Sequence, residues 1–160
     1  MRTSNELSSL DMVKKLFLQY GIRTRLGDIY DHFDLITENN WLLEVKNRRL
    51  NYDQFIEYNK SGFIMENIKY NYLINYNSRY INTFVINGLE FILNWNVKDI
   101  DSKSINMECK KTTDFNNNNY INKEIILLKA EDAKIYIWEN DKYVVIDYHT
   151  LINKLNGSIN

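Results

Sequence analysis

Two short segments of alternating apolar and polar residues, 31–37 and 41–48, are separated only by the polar turn 38–40. Alternation with a period of two is typical of β-strands, and two strands joined by so short a turn pair as an antiparallel hairpin. Because this pairing forms between neighbours in sequence, it constrains the fold more than any other feature of the chain. If the turn is centred on its middle residue, Asp34 on the first strand lies opposite Glu44 on the second.

The segments around this hairpin carry further helix and strand patterns. Residues 5–20 have apolar side chains at helical spacing, which predicts an amphipathic helix. A second helix is predicted over residues 51–69, and residues 88–95 fit either a short helix or a strand. The remaining predictions are strands at 22–25, 70–76, 81–86, 124–129, 134–138 and 143–147, a polar loop at 98–123 that ends in the asparagine run 116–119, and a closing helix at 149–155.

A helix between the hairpin and the later strands favours an α/β fold, with a mixed sheet flanked by helices. The chain has 160 residues, of which 44% are hydrophobic, and this size fits one domain with a sizeable core. It shows no internal repeat and no linker. We therefore expect a single domain over 1–160, with its core at about 5–97 and additional β structure in a C-terminal extension at about 98–160.

Composition and charge exclude several classes of protein. No apolar run approaches the roughly 20 residues that span a bilayer, and no apolar signal segment follows Met1, so we expect a cytoplasmic protein without a membrane partner. One Cys and two His are too few for an internal disulfide or a typical structural zinc site. The net charge of −1 gives no global attraction to nucleic acid, so any DNA contact must come from a local basic patch.

The two acids predicted to face each other, Asp34 and Glu44, suit a divalent cation. Side chains at opposite positions of an antiparallel pair have Cβ atoms about 5 Å apart. Carboxylates that close repel unless a cation lies between them, and Mg²⁺, with Mn²⁺ as its substitute, prefers oxygen ligands. Lys46 shares the face of Glu44 because strand side chains repeat every second residue. The backbone carbonyl of Val45 is a candidate third ligand.

These groups match what phosphodiester hydrolysis requires. A metal ion polarises the phosphate and lowers the pKa of a bound water, and a neighbouring lysine orients that water or stabilises charge on the phosphate. An opposing interpretation is that both acids are solvated positions on the open face of the hairpin. Against it, Ile36 shares the face of Asp34 and Leu42 shares that of Glu44, and acids among buried apolar side chains are costly unless paired or metal-bound.

The order of these residues resembles the PD-(D/E)XK nuclease superfamily, which includes restriction endonucleases and Holliday-junction resolvases. The matching residues are Asp34 and then Glu44-Val45-Lys46 on the next strand, after an N-terminal helix. The resemblance covers about residues 5–76. It implies a restriction-endonuclease-like mixed sheet and metal-dependent hydrolysis of DNA, in which the Asp and Glu bind Mg²⁺ and the Lys assists the attacking water.

The resemblance extends more loosely to residues around the motif. Phe33 stands where the motif name has Pro. Several members add a Glu on the first helix, and Glu6 stands at a comparable place, although the helix dipole alone also favours an acid there. Gln54 and Tyr58 match a Gln or Tyr on the helix after the motif, where a plain surface residue is the commoner case. Candidate phosphate contacts, which are otherwise ordinary surface cations, are Arg23, Arg25, Arg48, Arg49 and Lys60.

The sequence therefore predicts a Mg²⁺-dependent deoxyribonuclease that acts on duplex or branched DNA, with a structure-directed endonuclease of the junction-resolvase kind as the expected subtype. A homodimer is expected as well, because cutting two strands needs two sites. The alternative is a catalytically inactive domain of the same fold that binds nucleic acid or protein. The composition, with abundant Asn, Ile and Lys, 12 Tyr and no Pro, fits an AT-rich genome such as that of a bacteriophage. In a bacteriophage, the alternative would be a structural or host-takeover factor in the host cytoplasm.

Overall fold

The computed structural model describes residues 2–28, 30–110 and 120–157. Within these ranges it contains four α-helices and ten β-strands. In chain order they are α1 (Ser4–Gln19), β1 (Thr24–Leu26), β2 (Leu35–Thr37), β3 (Leu42–Asn47), α2 (Tyr52–Ser61), β4 (Phe63–Glu66), α3 (Asn67–Leu73), β5 (Ser78–Ile86), β6 (Leu89–Asn96), β7 (Ser104–Lys110), β8 (Tyr120–Leu128), β9 (Lys134–Glu139), β10 (Lys142–Ile146) and α4 (Tyr148–Gly157).

The strands form two sheets. A seven-stranded sheet has the order β1-β2-β3-β5-β6-β9-β10, and a three-stranded sheet has the order β4-β8-β7. In the larger sheet only β3 and β5 are parallel, and every other neighbouring pair is antiparallel. The connection between β3 and β5 contains α2, β4 and α3, as a parallel pair requires a crossover. The protein is therefore an α/β fold with a mixed sheet.

Strand β3 is covered on both of its faces. Leu43 and Val45 pack in the apolar cluster that contains the buried side of α1. Leu42 points to the other face and packs in the cluster that contains Phe55 of α2 and Phe63 of β4. Since side chains of a strand alternate between its faces, Glu44 shares the side of Leu42 and is carried into the interior. Only 2% of Glu44 is exposed.

The predicted hairpin is confirmed in pairing and register, but its first strand is shorter than the predicted 31–37, because β2 begins only at Leu35. β2 and β3 are antiparallel, with Leu35 opposite Leu43 and Ile36 opposite Leu42. The predicted helix at 5–20, the strands at 81–86 and 134–138, and the closing helix are confirmed as α1, β5, β9 and α4. Residues 88–95, whose sequence fits either a short helix or a strand, form the strand β6.

The single helix predicted over residues 51–69 is wrong. α2 ends before Gly62, and β4 and α3 follow it. Gly62 has a φ of +104°, a conformation that side chains rarely adopt, and a Cβ at this position would lie 2.6 Å from the Cβ of Leu127. The glycine therefore ends the helix and allows β4 to approach β8, where Ile64 pairs with Leu127.

The strand predicted over residues 70–76 is also wrong, because α3 occupies Asn67–Leu73. Aromatic residues at every second position indicated a strand, but here they pack as side chains of a short helix and the turn after it. The ring of Tyr72 lies 5.3 Å from that of Tyr76 and 4.6 Å from that of His32, measured between centroids. Contacts between residues distant in sequence therefore determine the secondary structure of this segment.

The polar loop predicted over residues 98–123 is wrong in part. It contains all of β7 and the start of β8, which pair antiparallel from Ser104 opposite Ile126 to Lys110 opposite Tyr120. The asparagine run 116–119 lies outside the described residues. The predicted division near residue 97 stays a prediction, although β9 and β10 beyond it belong to the seven-stranded sheet. None of the helices in the described ranges is both long and apolar enough to cross a membrane.

Candidate functional site

A polar cleft of about 360 Å³ opens beside the C-terminal half of β3. α1, the segment before β2, β3 and α3 all contribute to its lining. The predicted catalytic and metal-binding residues all lie along it, namely Glu6, Asp34, Glu44, Val45 and Lys46. Further charged side chains that line it are Arg2, Asp31, Arg49 and Lys69.

Asp34 is fixed at the end of the hairpin by three hydrogen bonds, one of which runs from the N–H of Gly27 to the Asp34 carbonyl at 2.8 Å. Its backbone N–H donates to the carbonyl of Leu43 at 2.9 Å. The N–H of Val45 donates to Oδ2 of Asp34 at 2.8 Å, so the carboxylate serves as an acceptor for β3 where β2 no longer pairs with it. The pairing of β2 with β3 ends at Leu35 opposite Leu43, and the N–H of Asp34 also bonds to the carbonyl of Leu43, so Asp34 lies just beyond the regular register. Both carboxylates line the same cleft, as the sequence predicts.

Glu44 lies between two lysine ammonium groups. Lys69 of α3 donates from Nζ to Oε1 of Glu44 at 2.6 Å, and the Nζ of Lys46 lies 3.7 Å from the same oxygen. Burial raises the pKa of Glu44 from 4.5 to about 7, and the charge of Asp34 raises it too, against the lowering effect of the two lysines. The cleft therefore holds a carboxyl group that gives up its proton only near neutral pH.

Lys69 is the site residue that the sequence does not predict. It stands 25 positions after Glu44 and, in the predicted secondary structure, would end a long helix. In the structure, β4 interrupts that helix, and α3 begins anew at Asn67 with Lys69 in its first turn. Since no pattern in the sequence marks this interruption apart from Gly62, nothing local connects Lys69 to the motif.

Glu6 lines the cleft and also caps α1. The backbone N–H of Thr3 donates to Oε2 of Glu6 at 2.5 Å, and the N–H of Glu6 donates to Oγ1 of Thr3 at 3.2 Å. The hydrogen bond from the Thr3 backbone lowers the pKa of Glu6. A capping role therefore accounts for an acid at this position, and its catalytic role stays a prediction.

The predicted phosphate contacts differ in where they lie. Arg49 lines the cleft, and Arg48 lines a second pocket beside it. Gln54 caps α2, with its Oε1 accepting from the backbone N–H of Asn51 at 2.9 Å. Lys60 pairs with Glu57 at 3.7 Å. Gln54 and Lys60, like Arg23 and Arg25, are not among the described residues that line the cleft, and their role as nucleic-acid contacts stays a prediction.

The donor atoms of the cleft suit Mg²⁺. Among residues 2–28, 30–110 and 120–157, no group of three or more His, Cys, Asp and Glu is close enough to hold a metal ion. Mg²⁺ needs fewer protein ligands than this, because it is usually held by one or two carboxylates, while water and substrate phosphates complete its shell. Asp34 and Glu44 are two carboxylates that line the cleft, and in this structure Glu44 contacts the ammonium of Lys69 at 2.6 Å.

Comparisons with known proteins provide no relative from which a function could be transferred. No protein-family model matches the chain, no curated protein matches its sequence, and no solved structure matches its fold. A function must therefore be inferred from the cleft and from the residues that line it.

Proposed function

We propose that the protein is a metal-dependent nuclease of the PD-(D/E)XK type that hydrolyses phosphodiester bonds in DNA. The observation that carries this proposal is the convergence of Asp34, Glu44 and Lys46 on one cleft, with Glu44 buried beside Asp34. A buried acid beside a second acid is costly in free energy, and a divalent cation between them offsets that cost. The mixed sheet, which carries the motif on an antiparallel pair of strands between helices, supports a restriction-endonuclease-like fold.

In this mechanism the protein positions the reacting groups. Asp34 and Glu44 would hold the metal ion, with the Val45 carbonyl as a further candidate ligand, and the ion would polarise the scissile phosphate and lower the pKa of the attacking water. Lys46 keeps 46% of its side chain exposed, so its ammonium reaches the solvent side of the cleft. From there it orients the water or stabilises negative charge on the phosphate. Glu6, on the α1 side of the cleft, is the candidate to assist a second ion.

The proposal is tested by incubating plasmid DNA and branched DNA with the purified protein in Mg²⁺ or Mn²⁺, and by following nicking on gels. The wild type is expected to cut, and faster cutting of branched DNA would support the structure-directed subtype. Asp34→Asn and Glu44→Gln are expected to lose about a hundredfold or more in rate, since each removes a metal ligand. Lys46→Met is expected to lose a comparable factor through lost charge stabilisation.

Glu57→Gln is the matched control for the acid variants. Glu57 lies on α2 with 72% of its side chain exposed and pairs only with the exposed Lys60 among the described residues. It should cut as the wild type does. Cleavage that persists in Asp34→Asn and Glu44→Gln would assign the activity to another site or to a contaminant, and the proposal would be wrong.

The ion pair between Lys69 and Glu44 favours a second candidate function. An ammonium at 2.6 Å already neutralises the carboxylate that a metal would need, as expected for a domain that has lost catalysis and kept binding. Such a protein would bind nucleic acid or a protein partner without cutting it. Binding of DNA in EDTA, together with no cleavage by the wild type in either metal, would support this second candidate against the first.

A further inference from the structure

A second polar pocket of about 210 Å³ adjoins the cleft, on the side of β4 and α3. It is lined by Lys46, Arg48, Ile64, Glu66, Lys69 and Tyr80. Lys46 and Lys69 line both the pocket and the cleft, so the two share part of their walls. A ligand that extends from the cleft along β3 would therefore reach Arg48 next.

Arg48 is a half-buried cation that has neutral hydrogen-bond partners. Its Nε donates to Oδ1 of Asn82 at 2.6 Å, and its Nη2 donates to the carbonyl of Ile64 at 2.8 Å and to the hydroxyl of Tyr80 at 3.3 Å. In the part of the chain that the structure describes, no carboxylate lies within 4.0 Å of its guanidinium. A charge removed from water without a counter-ion is unfavourable, and an anionic ligand would relieve that cost.

These same bonds prepare Arg48 to bind an anion. They fix the plane of the guanidinium and engage Nε and Nη2, so that the two N–H groups of Nη1 are left for a ligand. Because these two N–H groups belong to one nitrogen and diverge, each can donate one separate hydrogen bond to an anion, from a guanidinium whose plane is already fixed. The guanidinium of Arg48 is therefore already held in one orientation before a ligand binds.

The other charges around the pocket leave it positive. Glu66 is paired with Lys123 at 2.9 Å, and Lys69 is paired with Glu44 at 2.6 Å. With Glu44 and Glu66 each paired to one lysine, these four side chains contribute little net charge, and the excess is the charge of Arg48 together with that of Lys46, whose Nζ also lies 3.7 Å from Oε1 of Glu44. The volume of about 210 Å³ has room for a phosphate group and several waters, each of which takes about 30 Å³ in the liquid.

We infer that this pocket is a phosphate-binding site for a nucleic-acid strand, beside the phosphate that lies in the cleft. Arg48 and Lys46 bind the phosphate oxygens, and the Glu66–Lys123 pair limits the repulsion from the acid in the pocket wall. The identity of the strand rests on the proposed function, whereas the affinity for phosphate rests on the pocket alone.

The direct test is an NMR titration of the ¹⁵N-labelled protein with inorganic phosphate in EDTA, following the Nε–H signal of Arg48. Saturable movement of this signal is expected. Arg48→Lys should weaken binding about tenfold, because a flexible ammonium replaces a guanidinium whose plane is fixed. Glu66→Gln should strengthen binding about threefold by removing the acid from the pocket wall, a gain that misfolding cannot produce. Lys142→Met, which removes an exposed cation from β10, should bind phosphate as the wild type does.

The phosphate that the pocket binds could be a strand's terminal phosphate or an internal phosphodiester. To distinguish the two, binding of labelled oligothymidylates with a 5′-phosphate or a 5′-hydroxyl end is followed by their anisotropy in EDTA. Preference for the phosphorylated end would assign the pocket to a terminal phosphate. Equal binding of the two, weakened in Arg48→Lys, would assign it to an internal phosphodiester. Both results support a phosphate site.

Two results would overturn the inference. One is the absence of any phosphate-dependent movement of the Arg48 signal, and the other is wild-type affinity in both Arg48→Lys and Glu66→Gln. Because the titration contains no metal, its outcome is independent of cleavage. Phosphate binding without cleavage in Mn²⁺ would contradict the nuclease proposal and leave the pocket assigned, whereas cleavage with no phosphate binding would contradict the pocket alone.

Discussion

Two glutamate–lysine pairs involve the start of α3, one through Lys69 in its first turn and one through Glu66 directly before it, and they differ in burial. In the buried pair, Lys69 contacts Glu44 at 2.6 Å, and the glutamate side chain is 3% exposed. In the exposed pair, Lys123 contacts Glu66 at 2.9 Å, and the glutamate side chain is 41% exposed. The distances are similar, so the environment of each glutamate accounts for the differences between the pairs.

The pKa of the glutamate moves in opposite directions in the two pairs. In the exposed pair, the hydrogen bond from Lys123 outweighs burial and lowers the pKa of Glu66. In the buried pair, burial and the neighbouring Asp34 outweigh two lysines and raise the pKa of Glu44 to about 7. A salt bridge therefore does not by itself secure the charge of a carboxylate, because removal from water disfavours the charged form.

The position of each glutamate in the sheets explains this difference. Glu44 lies on β3, between β2 and β5, in a strand whose two faces are covered by apolar clusters. Glu66 lies at the end of β4, the edge strand of the three-stranded sheet, where solvent reaches its carboxylate. The cleft thus holds an acid whose charged form is disfavoured by burial, and strongly shifted pKa values of this kind cluster at functional sites.

The largest difference between the pairs should appear when the lysines are removed. Lys69→Met leaves Glu44 without its nearest ammonium, and at about pH 9, where this carboxyl is ionised in the wild type, we expect a loss of about 3 kcal/mol in the free energy of unfolding. Lys123→Met exposes Glu66 to water and should cost less than about 1 kcal/mol. Urea denaturation of both variants and the wild type measures these losses. Equal losses in the two variants would contradict the contrast between a buried and an exposed pair.

The pH dependence of the free energy of unfolding should also differ between the two pairs. Glu44 has a folded-state pKa of about 7 against 4.5 in the unfolded chain, so the folded protein holds this proton longer. Stability from this group is fully present below pH 4.5 and is lost as pH rises to about 7, by about 3 kcal/mol in total. Glu66 acts in the opposite sense, because its lowered pKa gives stability above 4.5 that is lost on acidification.

Glu44→Gln isolates this contribution, since glutamine has no proton to release. Urea denaturation at about pH 4.5 and at about pH 8 should show the wild type losing roughly 3 kcal/mol relative to Glu44→Gln between the two values. Other groups titrate in both proteins and cancel in this difference. Parallel pH profiles for the two proteins would mean that Glu44 titrates as an ordinary, solvated acid.

A smaller effect is expected from Asp34→Asn. The carboxylate of Asp34 raises the pKa of Glu44, so its removal should lower that pKa, whereas the pKa of Glu66 should stay as it is. The amide oxygen of Asn can still accept from the N–H of Val45, which preserves the end of the hairpin. NMR titration of the ¹³C-labelled glutamate carboxyls follows both residues in one sample. An unchanged titration of Glu44 would show that the two acids do not interact.

The sequence predicts the half of the cleft that local patterns define. Alternation over 31–37 and 41–48 determines the hairpin, its register and the face of Glu44, because strand side chains repeat every second residue. The first helix follows from its apolar spacing, and it brings Glu6 to the cleft. Asp34, Glu44 and Lys46 could therefore be brought together from the sequence alone.

The other half depends on contacts between distant residues. Gly62 indicates a break, but only the approach of Leu127 on β8 shows that a strand follows it rather than more helix. Without β4, the sequence gives Lys69 no relation to Glu44. The alternation of Ile105 and Met107 with polar residues indicates the strand β7. The high polarity of the surrounding region favours the prediction of a loop instead.

The nuclease proposal depends on Glu44 of β3 and Asp34, which directly precedes β2, sharing a divalent cation. Titration of the protein with Mn²⁺, followed by electron paramagnetic resonance of the free ion, tests it without any substrate. The wild type and Glu66→Gln should each bind the ion, and Asp34→Asn and Glu44→Gln should bind it at least about tenfold more weakly. Failure of the wild type to bind Mn²⁺, or equal affinity in Glu44→Gln and the wild type, would contradict the claim.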